Sequence, residues 1–201
     1  GEDSLRLAET FSDSKIYCFE PDPRNIAVHR KHVDHPRILL NECALSSTEG
    51  SKTFYQSYQK NRATSVPEKY AWISSSDYEL LGLHNSGSSS LKSGYPHTLK
   101  ESIDVSTIRF DSWCASNEIP NIDFAWIDVQ GAEKDVFDGM GDDIKNIKCI
   151  WVEYGETGYE DGMDRTETIR YLSEKGFNIV EVYSDHETSG DLLFLREEND
   201  G

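Results

Sequence analysis

No run of apolar residues in this sequence approaches the eighteen or so that a bilayer-spanning helix needs. Basic residues are scarce: Lys and Arg total 20 against 37 Asp and Glu, a formal charge of −17 over 201 residues. With a pI near 4.6 the chain lacks the basic footprint that binds phosphate backbones. Nucleic acid is therefore excluded as a general partner, and an anionic membrane surface would repel the chain. The four cysteines, at positions 18, 43, 114 and 149, show no CxxC spacing and read as buried free thiols of a reducing compartment. No signal peptide is visible, which points to a cytoplasmic enzyme. The chain begins with Gly rather than Met, so a removed leader stays open. There is no GxSxG elbow, P-loop or kinase signature, so serine hydrolases and nucleotide kinases lose their usual support. His29, His32 and His35 form HxxHxxH, but steps of three drift around a helix and no HExxH zinc motif results.

What is present is enough to fold. Four Trp, ten Tyr and eight Phe supply large buried areas to a chain whose mean hydropathy is only −0.63. The length suggests one domain over 1–201. Residues 1–12, GEDSLRLAETFS, read as a helix with Leu5, Ala8 and Phe11 on one face, followed by a buried strand KIYCFEP, a helix over 23–34 and a strand RILLNECALS. Residues 46–110 break this rhythm with Ser, Asn, Gly and Tyr, and read as an insert on the substrate side. Within the insert, 51–59 and 101–110 look strand-like, and FDSWCASN (110–117) reads as a short helix. The rhythm returns with strand FAWIDVQ, helix GAEKDVFDGM, strand CIWVEYG and helix DRTETIRYLSEKGF, the last capped by Asp164 with Glu167 and ended by Gly176. NIVEVYS and DLLFLRE are joined by so short a link that they must be antiparallel. The expected fold is α/β: a three-layer, doubly wound, Rossmann-like sheet, mostly parallel with a C-terminal antiparallel strand pair.

In such sheets ligands bind beyond the carboxyl ends of the strands. Glu20 ends the first strand nineteen positions after Gly1, the separation between the last glycine of a nucleotide-binding turn and the carboxylate that takes ribose hydroxyls. Glu42, Cys43 and Ala44 end the next strand, either as a plain strand terminus or as a place where a small residue leaves room for an adenine ring. Asp128 and Glu153 are acids within otherwise apolar strands, and packing does not explain them. At neighbouring strand tips they would converge to bind a hydroxylated substrate, orient a base or hold a divalent cation through oxygen. Glu133, at the start of the following helix, also answers the helix dipole.

The ordered set FEPDP, NECALS, GSSSL, IRFDSW, IDFAWIDVQGAEKDVFDGM and WVEYG resembles the FkbM family of methyltransferases, from Gly1 to about Phe177. The resemblance implies a class I methyltransferase fold and an O-methyltransferase that uses S-adenosyl-L-methionine on a hydroxyl of a sugar, glycoside or other small hydroxylated metabolite. It places Gly1 at the end of the glycine turn, the family's first strand and most of that turn falling before it. Glu20 goes to the ribose, Pro21 beside it to the cofactor site, and Ala44 with Glu42 or Cys43 to the adenine border. Asp128 lies near the reacting methyl group, and Gln130, Glu133 and Glu153 face the substrate. His84 and His97 in the insert are candidates for the general base. Two other readings compete: a non-catalytic methyltransferase-like module that binds a ligand or protein, and a dinucleotide-dependent oxidoreductase on a similar sheet. Nothing in the sequence sets an oligomeric state.

Overall fold

The computed structural model describes residues 1–58, 73–78, 88–93, 99–155, 159, 161–183 and 189–197. Helix α1 (Glu2–Thr10) forms where Glu2 and Asp3 answer the positive end of the helix dipole and Ala8 is buried. The Arg37 guanidinium closes its far end, donating to the carbonyls of Ala8, Phe11 and Ser14 at 2.6, 2.7 and 2.9 Å. Ala8 is in the last turn, whose carbonyls the helix itself leaves unpaired. Strand β1 (Ile16–Phe19) pairs in parallel with β2 (Ile38–Asn41), in register from Ile16↔Ile38 to Phe19↔Asn41. The crossover is helix α2 (Pro23–His32), which starts where Asp22 caps it and Pro23 supplies a preset φ at the first helical position.

The strand expected over RILLNECALS is two strands. At the end of β2 the Asn41 side chain donates to the Cys18 carbonyl at 3.2 Å. The chain then resumes as β3 (Ala44–Leu45) in another sheet, ordered β3, β5, β4, with β4 at Gly50–Tyr58 and β5 at Leu99–Ile108.

Helix α3 (Phe110–Asn117) leads into β6 (Ile122–Ile127), α4 (Glu133–Met140), a 3-10 turn (Gly141–Asn146) and β7 (Ile147–Gly155). Helix α5 (Arg165–Glu174), β8 (Phe177–Tyr183) and β9 (Ser189–Arg196) follow. The sheet order is β6, β7, β9, β8. Strands β6 and β7 are parallel, and β9 runs antiparallel to both β7 and β8. The expected C-terminal antiparallel pair is therefore present.

Alternation along β7 sorts its two faces. Ile150, Val152 and Tyr154 are buried, while Cys149, Trp151 and Glu153 on the other face are half-buried. Ile150, Val152, Leu172, Leu192 and Phe194 are wholly inaccessible, and each such side chain contributes about 1.5–3 kcal/mol of transfer free energy. The capping box of α5 is as expected: Asp164 accepts the Glu167 N–H at 2.7 Å and Glu167 accepts the Asp164 N–H at 3.2 Å. Helix α4 approaches Ser46 so closely that a Cβ on Gly139 would lie 2.2 Å from the Ser46 carbonyl oxygen.

The fold is thus mixed α/β, with parallel and antiparallel pairings. Contacts gather it into two compact units, Gly1–Ala44 with Ser51–Ser89 and Thr98–Ser106, and Leu45–Gly50 with Ser90–His97 and Thr107–Gly201. No helix among the described residues is long and apolar enough to cross a membrane.

Candidate active site

The first unit holds Glu20 just past β1, its N–H donating to the Asn41 carbonyl at 3.0 Å. Oε1 accepts the Asp22 N–H at 2.8 Å and Oε2 accepts the Asn25 amide at 3.0 Å. Both oxygens are thereby aimed, and each keeps capacity for a second hydrogen bond. Burial pushes the Glu20 carboxyl above its usual range, against those two donors. Gly1 stands at the start of α1, its carbonyl accepting the Leu5 N–H at 3.1 Å. Pro21 follows, half-buried.

The rigid part of this turn is Asp22, which is fully buried. It caps α2 through the Arg24 N–H at 3.0 Å, takes Arg24 Nε and Nη2, and accepts Gln56 Nε2 at 2.9 Å. FEPDP carries a signal for it, an Asp directly before a Pro that opens a helix. Glu42 is exposed and ion-paired with Arg30. Cys43 is half-buried, with burial raising its thiol, and Ala44 is buried.

The second unit holds the carboxyl pair. Ile127 of β6 stands opposite Val152 of β7 in parallel register, so Asp128 and Glu153 follow side by side. Gln130 joins them, its Nε2 donating to Asp128 Oδ1 at 2.7 Å and to Glu153 Oε2 at 2.5 Å. Asp128 is exposed and Glu153 half-buried. Burial, then the Asp128 charge, a hydrogen bond with Asp128, and the charges of Asp191 and Glu133 push the Glu153 carboxyl up to about 9. At neutral pH it holds its proton.

Around this pair the structure adds residues that the sequence did not single out for these roles. Asp191 faces Glu153 across the β7–β9 ladder and accepts the Trp151 indole N–H at 3.1 Å. Strict alternation on β9, with Leu192 and Phe194 buried, is the signal that puts Asp191 on this face. Tyr159 donates its phenol to Gln130 Oε1 at 2.8 Å. Ser90, the fourth residue of GSSSL, donates to the Gln130 carbonyl at 2.6 Å. Glu133 is buried rather than turned to substrate, its carboxylate accepting the Gly131 N–H at 3.0 Å.

Other candidates do not join either set. His84 and His97 lie outside the described residues. His29 is buried, His32 contacts Asp77 at 2.5 Å, and His35 Nδ1 accepts the Arg37 N–H at 3.3 Å, so the three share no site. All four cysteines are free. Among the described residues no group of three or more His, Cys, Asp or Glu is arranged to hold a metal ion.

The chain is 29% identical over 163 residues to the 2-O-methyltransferase NoeI of Sinorhizobium fredii, covering 81% of this chain and 62% of the relative. It thus spans less than two thirds of that relative's length. No solved structure matches the chain. The profile of the Methyltransferase FkbM domain family matches residues 2–179. The chain belongs to the FkbM methyltransferase family.

Proposed function

We propose that this chain is an S-adenosyl-L-methionine-dependent O-methyltransferase acting on a hydroxyl of a sugar, glycoside or other small hydroxylated metabolite. The fold we assign to it is the doubly wound, Rossmann-like sheet of class I methyltransferases. The observation that carries the reading is the Asp128–Gln130–Glu153 bridge at the tips of two parallel strands, in a chain of this family. The name of the curated relative, a 2-O-methyltransferase, supports oxygen as the acceptor atom.

The residues of the first unit fit the cofactor. Glu20 is held by Asp22 and Asn25 with one acceptor site left on each oxygen, which suits a pair of adjacent ribose hydroxyls. Ala44, with Cys43 and Glu42, would border the adenine. S-adenosyl-L-methionine supplies an electrophilic methyl group on a sulfonium. An acceptor hydroxyl that takes this group would form a C–O bond as the methyl C–S bond breaks, with S-adenosylhomocysteine as the leaving thioether, and would give up its proton. Asp128, exposed at its strand end, accepts that proton, while Glu153 stays neutral and donates to its neighbour. Gln130 keeps the two carboxyls in place, and the remaining gain is alignment.

The test is calorimetric titration of S-adenosyl-L-methionine and S-adenosylhomocysteine into the protein and its Glu20→Ala variant, followed by transfer of labelled methyl groups to a panel of glycosides. Binding that weakens at least about tenfold in the variant supports the reading, since a lost charge-assisted bond costs about 1.5–3 kcal/mol. A folded protein that binds neither ligand overturns it and leaves a methyltransferase-like binding module.

A further inference from the structure

Gln130 occupies the left-handed backbone region at φ 53°, which a side-chain-bearing residue adopts only where its surroundings hold it there. Ser90 supplies that hold through the Gln130 carbonyl. The turn delivers the Gln130 amide, which has two unlike ends. Nε2 has two hydrogens, one directed to Asp128 and one to Glu153. Oε1 accepts the Tyr159 phenol. Turned over, the amide would set Oε1 against the Asp128 carboxylate, acceptor against acceptor.

We propose that Tyr159 is a positioning residue for the carboxyl pair: its phenol fixes the direction of the Gln130 amide, so that both hydrogens of the nitrogen go to Asp128 and Glu153. This rests on the methyltransferase reading, in which the pair handles the acceptor's proton. The turn is built to admit the tyrosine. Gly131 has φ 93°, and a Cβ there would lie 2.4 Å from Tyr159 Cβ. Only a residue without a side chain lets Tyr159 sit against the Gln130–Gly131 backbone.

The charges facing Glu153 are Asp128 beyond β6, Glu133 at the start of α4 and Asp191 on β9, all of which oppose its ionisation. Tyr183 of β8 stacks on Trp151, whose indole N–H is given to Asp191. The Gln130 amide is thus a donor that favours the ionised form of the pair against this acidic surround, and losing its direction raises the titration of the pair.

The experiment is a pH titration of the protein, carbon-13-labelled at Asp and Glu carboxyls, read by NMR for the wild type, Tyr159→Phe, Gln130→Asn and the double variant. Tyr159→Phe removes the hydroxyl and keeps the ring. Gln130→Asn keeps an amide suited to left-handed backbone but is one methylene too short to span both acids. The expected result is an upward shift of the Glu153 midpoint by about half a pH unit or more in each single variant. Tyr159→Phe should then cause no further shift in the Gln130→Asn background. The pH profile of kcat should move with the titration while KM for S-adenosyl-L-methionine holds. An unchanged midpoint in folded Tyr159→Phe, or additive shifts in the double variant, overturns the inference. The titration reads the carboxyls whether or not methyl transfer is detected, and failure of cofactor binding by the wild type overturns the methyltransferase reading instead.

Discussion

Ser90 Oγ lies 2.6 Å from the carbonyl oxygen of Gln130, so a buried hydroxyl clamps the one residue whose side chain joins the two strand-end acids. The same hydroxyl accepts the Lys92 N–H at 2.9 Å. A short polar motif in the expected insert thus serves as a brace for the turn after β6.

Ser90→Ala removes the hydroxyl that the half-buried Gln130 carbonyl and Lys92 N–H share. Stability should fall by about 2 kcal/mol. Methyl transfer should fall with it, because a relaxed turn no longer presents Gln130. Thermal unfolding and single-turnover rates on the same preparation check both parts, and a variant that keeps wild-type stability contradicts the bracing role.

Asp128→Ala removes the exposed member of the pair, together with the charge and the hydrogen bond that help to keep Glu153 protonated. Turnover should drop by at least about a hundredfold, the usual scale for a lost acid–base group. Binding of S-adenosylhomocysteine should change far less. Near-normal turnover would show that another group accepts the proton.

Glu153 gives the protein a particular pH dependence. Its folded carboxyl titrates near 9, well above an unfolded glutamate, so folding takes up a proton throughout the interval between. The folded state then binds more protons than the unfolded one, and stability falls as pH rises from about 5 to about 9. Glu133 and Asp191, both raised chiefly by burial, act in the same sense. Glu153→Gln should flatten this slope, stabilising the protein at high pH relative to low. Unfolding midpoints across the interval measure it, and parallel curves for the two proteins would contradict the assignment.

Asp22 and Glu42 separate structural acids from surface ones. Asp22→Ala removes the buried carboxylate that takes Arg24 Nε and Nη2, and with it a helix cap, and should cost about 3 kcal/mol or more. Glu42→Ala breaks only an exposed pair with Arg30 and should cost less than about 1 kcal/mol. Chemical denaturation of both variants decides whether the ordering holds.

The elements of the second half were legible because their signals are local. Asp164 and Glu167 announced α5, and the apolar runs of β6 and β7 announced a parallel pair. The break between β2 and β3 was not, because what separates them is pairing with strands in different sheets, and β5 lies more than fifty residues away in sequence. Asp128 and Glu153 stood out as acids in apolar strands. Tyr159 did not stand out for its bond to Gln130, since its stretch has no period and the phenol acts through a residue far upstream. Glu133 misled for the opposite reason: a helix-start acid beside Asp128 looks like a ligand group, whereas its own turn consumes its carboxylate.

The position of β9 between β7 and β8 has a consequence for synthesis of the chain. Until residues 189–196 have left the ribosome, the edges of β7 and β8 that β9 joins stay unpaired and open to other chains. Assembly of this sheet is therefore delayed until its last-made strand arrives, and a nascent chain stalled short of β9 is the form most exposed to aggregation.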